Sequence, residues 1–219
     1  MALTTATLAL FLHILMVIIG LSAAAVLHVA LLQLRAADDV AAARSWPRVI
    51  AVLETLLPVA GLAILLTGAW TLQASGGEFG WSQGWVITAL VGLVAVETAG
   101  GLVAPRSKTL RRTIAEAPDG PVDIELRRRI LDPVLWCVLH GGTAVFLAVV
   151  FVMVTKPSGL WSAVVVAAVG VLGAASGLPF IRGSRPQVPA QREPTKTVVE
   201  PQASPAGQHT EDRWTPPRS

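Results

Sequence analysis

Apolar residues do not alternate along this chain. They come in five nearly unbroken runs, Leu8–Leu34, Val49–Leu72, Gly84–Val103, Pro133–Val154 and Leu160–Ile181. Each has about the 20 residues that an α-helix needs to cross a hydrocarbon core of about 30 Å. A helix with one buried face on a soluble domain would carry polar residues on its opposite face. These runs lack such a face, so the pattern predicts an all-α polytopic membrane bundle with five transmembrane helices.

The polar positions orient that bundle. All but one of the seventeen Lys and Arg residues fall on one side of the runs. Arg35, Arg44 and Arg48 lie between the first and second runs. Arg106, Lys108, Arg111, Arg112, Arg127, Arg128 and Arg129 lie between the third and fourth, and the remainder follow the fifth. Lys156 alone occupies the alternate loops. Basic loops are retained in the cytoplasm, which predicts an outside N-terminus, a cytoplasmic C-terminus and residence in the cell's inner (plasma) membrane. Leu8–Leu21 followed by Ser22-Ala23-Ala24-Ala25 looks like a cleavable signal. No Lys or Arg precedes it, however, and the run continues to Leu34, so a retained first span is expected.

Boundary residues fit the same reading. Trp70, Trp81, Trp85 and Trp161 are placed at the outer ends of spans, and Trp46 and Trp136 at inner ends, as an interfacial aromatic belt. Ser45 and Pro47 suit the start of span two, and Asp132-Pro133 the start of span four. Thr155-Lys156-Pro157-Ser158-Gly159 leaves room only for a tight hairpin, making spans four and five antiparallel neighbours. The connector Arg106–Leu131 splits at Pro118-Asp119-Gly120-Pro121, and its second half, Asp123–Ile130, reads as a charged, solvated helix on the membrane surface. Gly170, Gly173, Ala174 and Gly177 form a small-residue track on span five, which suits close packing within the chain or in a homo-oligomer.

Two domains follow: a five-helix transmembrane domain over 1–182 and a Pro-rich tail over 183–219. The tail's composition predicts disorder, because it holds too little apolar surface to offset the entropy of ordering. Hydrophobic residues make up 53% and charged residues 14% of the chain, with a mean hydropathy of +0.62. The net charge of +3 would suit nucleic acid, but the basic residues abut the spans, where they orient the chain and meet anionic headgroups. The expected partner is therefore the lipid bilayer and not nucleic acid. Cys137 is the only cysteine, which excludes an intramolecular disulfide or a CxxC site.

No reactive motif is present, so the expectation is a protein that is not an enzyme, and the informative residues are the ionisable ones inside the spans. They are His13, His28, Glu54, Glu97 and His140. Counted along the helical rise from the cytoplasmic boundary, His28, Glu54, Glu97 and His140 all lie about 9–14 Å deep, and His13 roughly 22 Å beyond His28. Four residues from four spans thus share one layer. His13, Val17, Gly20, Ala24 and His28 form one stripe on span one, where small residues admit a neighbouring helix. Gly100-Gly101 and Gly141-Gly142 offer similar room. Pro58 lacks the amide that would bond the carbonyl of Glu54, which predicts a kink and a free acceptor there.

Three chemistries suit the layer. His28, Glu54, Glu97, His140 and also His13 are candidate ligands for a metal ion. His28 and His140 are candidate axial ligands for a haem. Glu54 and Glu97 with their imidazole neighbours suit a proton path, Glu97 carrying the proton in a proton-coupled transporter or channel subunit. The plain alternative is that these groups hydrogen-bond between helices and hold the bundle together. An accessory protein acting through its tail is a further reading.

Several short motifs carry a resemblance: Leu12-His13-Ile14-Leu15, Leu66-Thr67-Gly68, the Trp-rich stretch Trp81–Val86, and Phe151-Val152-Met153-Val154-Thr155-Lys156-Pro157. Over residues 5–157 the chain resembles a bacterial family of predicted integral membrane proteins, domain of unknown function 2269. Its layout is similar to the membrane domain of copper-resistance D proteins. The resemblance implies a small helical membrane bundle of uncharacterised activity and, by the copper analogy, nominates His13 as a ligand. The chain lacks the Met-rich and multi-His clusters of copper-handling proteins.

Overall fold

A computed structural model describes residues 4–179. Among them are seven helices and no strand: α1 (Thr5–Ala36), α2 (Val40–Ala43), α3 (Pro47–Ala74), α4 (Gly84–Glu116), α5 (Ile124–Ile130), α6 (Pro133–Thr155) and α7 (Gly159–Ser176). Helices α1, α3, α4, α6 and α7 are long and apolar enough to cross a membrane. They coincide with the five apolar runs. The tail expected over 183–219 lies outside the described residues.

Local chemistry sets most of the ends. Thr4 Oγ1 accepts the amide of Thr7 at 3.2 Å and caps α1. Asp132 Oδ1 accepts the amide of Val134 at 2.9 Å, and Pro133 opens the first turn of α6, as the sequence predicts. At α3 the cap residue is Trp46, not Ser45, with Pro47 in the first turn and no side-chain bond to the free amides. The α6–α7 hairpin turns on Lys156, which adopts a left-handed φ of 47°.

Contacts divide the spans into two groups. Helix α1 packs along α3, and α6 packs against both α4 and α7. Contacts between the groups, α3 with α4 and α1 with α6, are sparser. Small residues make the close approaches. Gly20 of α1 lies where an added Cβ would be 3.3 Å from Ile64 Cδ1, and a Cβ on Gly177 would be 3.0 Å from the carbonyl of Trp136. The small-residue track of α7 therefore serves packing against α6 within the chain. Outward faces stay apolar and uncovered: Val91 is 62% exposed and Leu102 73%. A hydrocarbon solvent suits such faces, and water does not.

The core concentrates at the basic end of the bundle, where Leu27, Leu31 and Leu34 of α1 meet Ile50 and Leu53 of α3, Leu110 and Ile114 of α4, and Trp136 of α6. Three expectations are corrected there. Helix α4 does not stop near Val103 but runs through Pro105 to Glu116, so the first half of the connector is helix. Helix α5 exposes Glu125 and Arg128 as expected, but it is not solvated all round. Leu126 and Ile130, four residues apart on one face, are buried in the core. The guanidinium of Arg127 donates to the carbonyls of Arg35 at 2.7 Å and Ala37 at 2.8 Å, closing the C-terminus of α1. Thirdly, Trp136 is no interfacial marker. It is fully buried, and its indole N–H donates to the carbonyl of Ile130 at 2.9 Å.

At the opposite end the two connecting loops touch. Lys156 Nζ lies 3.7 Å from the centroid of the Phe79 ring, and Phe79 meets Trp85 edge to face at 5.7 Å.

Candidate intramembrane site

The four ionisable residues expected to share a depth occupy three separate environments. His28 of α1 and His140 of α6 do meet, with ring centroids 5.1 Å apart and planes at 74°. Each Nδ1–H donates to the carbonyl one turn back, of Ala24 at 2.9 Å and of Trp136 at 3.0 Å. Those bonds fix the tautomer and leave Nε2 as the acceptor nitrogen of each ring. Trp136 flanks His140 at 5.8 Å.

Glu54 has a different partner. Its carboxylate pairs with the guanidinium of Arg111 at 2.9 Å, joining α3 to α4 at the basic end. Arg111 belongs to the helical stretch that the sequence presents as a connector. That is why the pairing was missed: only a helix continued through Pro105 brings Arg111 beside Glu54.

Glu97 stands apart from both. Its carboxylate lies directly against Gly61 of α3, in space that a Cβ there would fill. Among the described residues no side chain or backbone group hydrogen-bonds or ion-pairs with it. It faces a cavity of about 210 Å³ between the two helix groups. Gly20, Leu27, Gly61, Leu93, Val96 and Phe146 contribute to its apolar walls, and Glu54 and Ser107 lie toward the basic end. From Leu93 to Ser107 the α4 wall spans about 21 Å of helical rise. Gly100 and Gly101, expected to admit a close helix, have nothing within 4 Å of where a Cβ would sit, and they line the cavity instead.

His13 is buried in the α1–α3 contact. Its Nδ1–H donates to the carbonyl of Ile64 at 3.2 Å, with Thr67 Oγ1 also at 3.2 Å. Gly68 leaves the space its ring occupies: a Cβ there would be 3.1 Å from Cε1. The ring is an interhelical strut. His13→Ala is expected to destabilise the protein by about 1–3 kcal/mol, through the unpaired contact and the void. Thermal unfolding in detergent checks it, and an unchanged midpoint would refute the role.

The arrangement limits what these residues can hold. Among the described residues no three His, Cys, Asp or Glu side chains converge as a metal-ligand set. His28 and His140 supply two imidazoles where a structural zinc takes four ligands. A haem between them would have to separate the rings, and rings in edge contact leave no such slot.

Comparison with known proteins bears on the whole bundle rather than on this site. The family model described as predicted integral membrane protein (DUF2269) matches residues 7–157, ending in the α6–α7 hairpin. No curated protein and no solved structure matches the chain. The chain belongs to the DUF2269 family of predicted integral membrane proteins, of which α1 through α6 form the shared part and α7 lies beyond the match.

Proposed function

We propose that this protein is a non-enzymatic, proton-coupled carrier of a small solute in the plasma membrane, with its N-terminus outside and its basic end in the cytoplasm. The charge asymmetry of the loops supports the orientation. One observation carries the function: a carboxylate at membrane depth, Glu97, opens on a cavity and has no partner among the described residues. An intramembrane acid used only for structure would be bonded, as Glu54 and the three histidines are. The sparse seam between α1/α3 and α4/α6 supplies the two groups whose relative movement would expose Glu97 to one side and then the other.

Purified protein reconstituted in liposomes with an internal pH dye tests this. An imposed diffusion potential should drive proton entry, and Glu97→Gln should slow it at least tenfold while leaving helix content unchanged. Equal proton flux in the two proteins would remove Glu97 from the mechanism.

A further inference from the structure

The charged groups on the cavity's walls are acidic, and that charge points to its occupant. Glu97 supplies an acceptor. Pro58 and Pro105 lack the amides that would bond the carbonyls of Glu54 and Gly101, and both of those residues line the cavity. The carbonyls of two wall residues thus lack their usual helical donors. Among the described residues no Lys, Arg or His lines it. Arg111, toward the basic end, pairs with Glu54. Everything else on the walls apart from the hydroxyls of Ser107 and Thr143 is aliphatic, aromatic or glycine.

We infer that the cavity binds a small organic ammonium ion, with the charged nitrogen at Glu97 and an apolar body against Leu27, Leu93, Val96 and Phe146. This deepens the carrier reading by naming its substrate class. An ammonium group has only donors, so it satisfies the carboxylate directly. An anion would meet a like charge, and a neutral hydrocarbon would leave the acceptors unsatisfied in a medium without water. The volume of about 210 Å³ sets the size. A protein cavity of about 150 Å³ accepts benzene, so a single ring with a short aminoalkyl arm fits.

Proton and ammonium compete for one carboxylate, which makes binding pH-dependent. The charged and titratable groups facing Glu97 are few. From α3 there is Glu54, paired with Arg111 of α4, whereas the α1 and α6 walls contribute none. Ammonium binding therefore weakens as pH falls and Glu97 takes up a proton.

The test is calorimetric titration of the full-length protein in detergent with phenethylammonium, and with ethylbenzene as its uncharged counterpart. Phenethylammonium should bind, should bind more tightly than ethylbenzene, and should lose at least tenfold in affinity in Glu97→Gln. Ethylbenzene should bind both proteins equally, which shows that the variant keeps its cavity. Gly101→Leu, which fills the cavity without touching charge, should abolish binding of both. Equal phenethylammonium affinity in wild type and Glu97→Gln, or binding that survives Gly101→Leu, overturns the inference. So does an absence of binding while Glu97-dependent proton flux persists, a result that leaves the carrier reading intact. Glu97-dependent binding without proton flux upholds the site and removes the carrier reading.

Discussion

Trp136→Ala is expected to lower the stability of the bundle by about 3–5 kcal/mol, the usual range for a fully buried aromatic truncated to a methyl group. The indole sits where four elements meet. It is wholly buried in the core of the basic end. Its N–H satisfies the carbonyl of Ile130 at the end of α5, and its ring flanks His140 and lies 6.0 Å from the guanidinium carbon of Arg35. Its own carbonyl accepts from His140 and lies within 3.0 Å of where a Cβ on Gly177 would sit, so α7 leans on the same turn. Truncation empties a volume that rigid helices cannot fill and leaves the Ile130 carbonyl unpaired. Trp136→Phe separates these effects: it keeps most of the packing and loses only the hydrogen bond, about 1–2 kcal/mol. Equilibrium unfolding should rank Ala below Phe below wild type. Equal losses would assign the whole role to the hydrogen bond, and no loss would show that the core at this end does not hold the bundle.

The same tryptophan shows what the sequence concealed. The spans were readable because a chain in hydrocarbon must bond all its backbone groups within itself, which reduces the problem to finding apolar runs of helical length. Rotation about each helix axis was not. His28 and His140 meet, whereas Glu97 faces a cavity and Glu54 an arginine. An indole near a span end suits both a lipid interface and a core, and only the packing of α5 decides between them for Trp136. Pro105 concealed most. It reads as a stop, yet α4 continues through it, because a membrane helix tolerates the lost bond when neighbours support it. Extending that helix would have revealed Arg111 as the partner of Glu54 and the wall on which Gly100 and Gly101 stand open.

Glycines of α4 supply the second large effect, with opposite signs at its start and its middle. Gly84 begins the helix directly against the backbone of Gly159 at the start of α7. A Cβ on Gly159 would be 3.1 Å from Gly84 Cα, and a Cβ on Gly84 would fall onto the Gly159 backbone itself. Backbone cannot rotate aside as a side chain does, so one helix must move. Gly84→Ala should therefore cost about 3 kcal/mol, the upper part of the range for overpacking. It should also loosen the outer end, where Lys156 rests on Phe79 and Trp85. Gly101, in the same helix, has open cavity where its Cβ would be. Gly101→Ala meets nothing and restricts only the unfolded chain, so it should stabilise by about 0.5–1 kcal/mol, the helix-interior difference between glycine and alanine. Unfolding midpoints of the two variants should lie on opposite sides of wild type. A loss at Gly101 comparable to that at Gly84 would mean that α3 and α4 close over this wall, and the cavity that sets Glu97 apart from the other intramembrane residues would not exist.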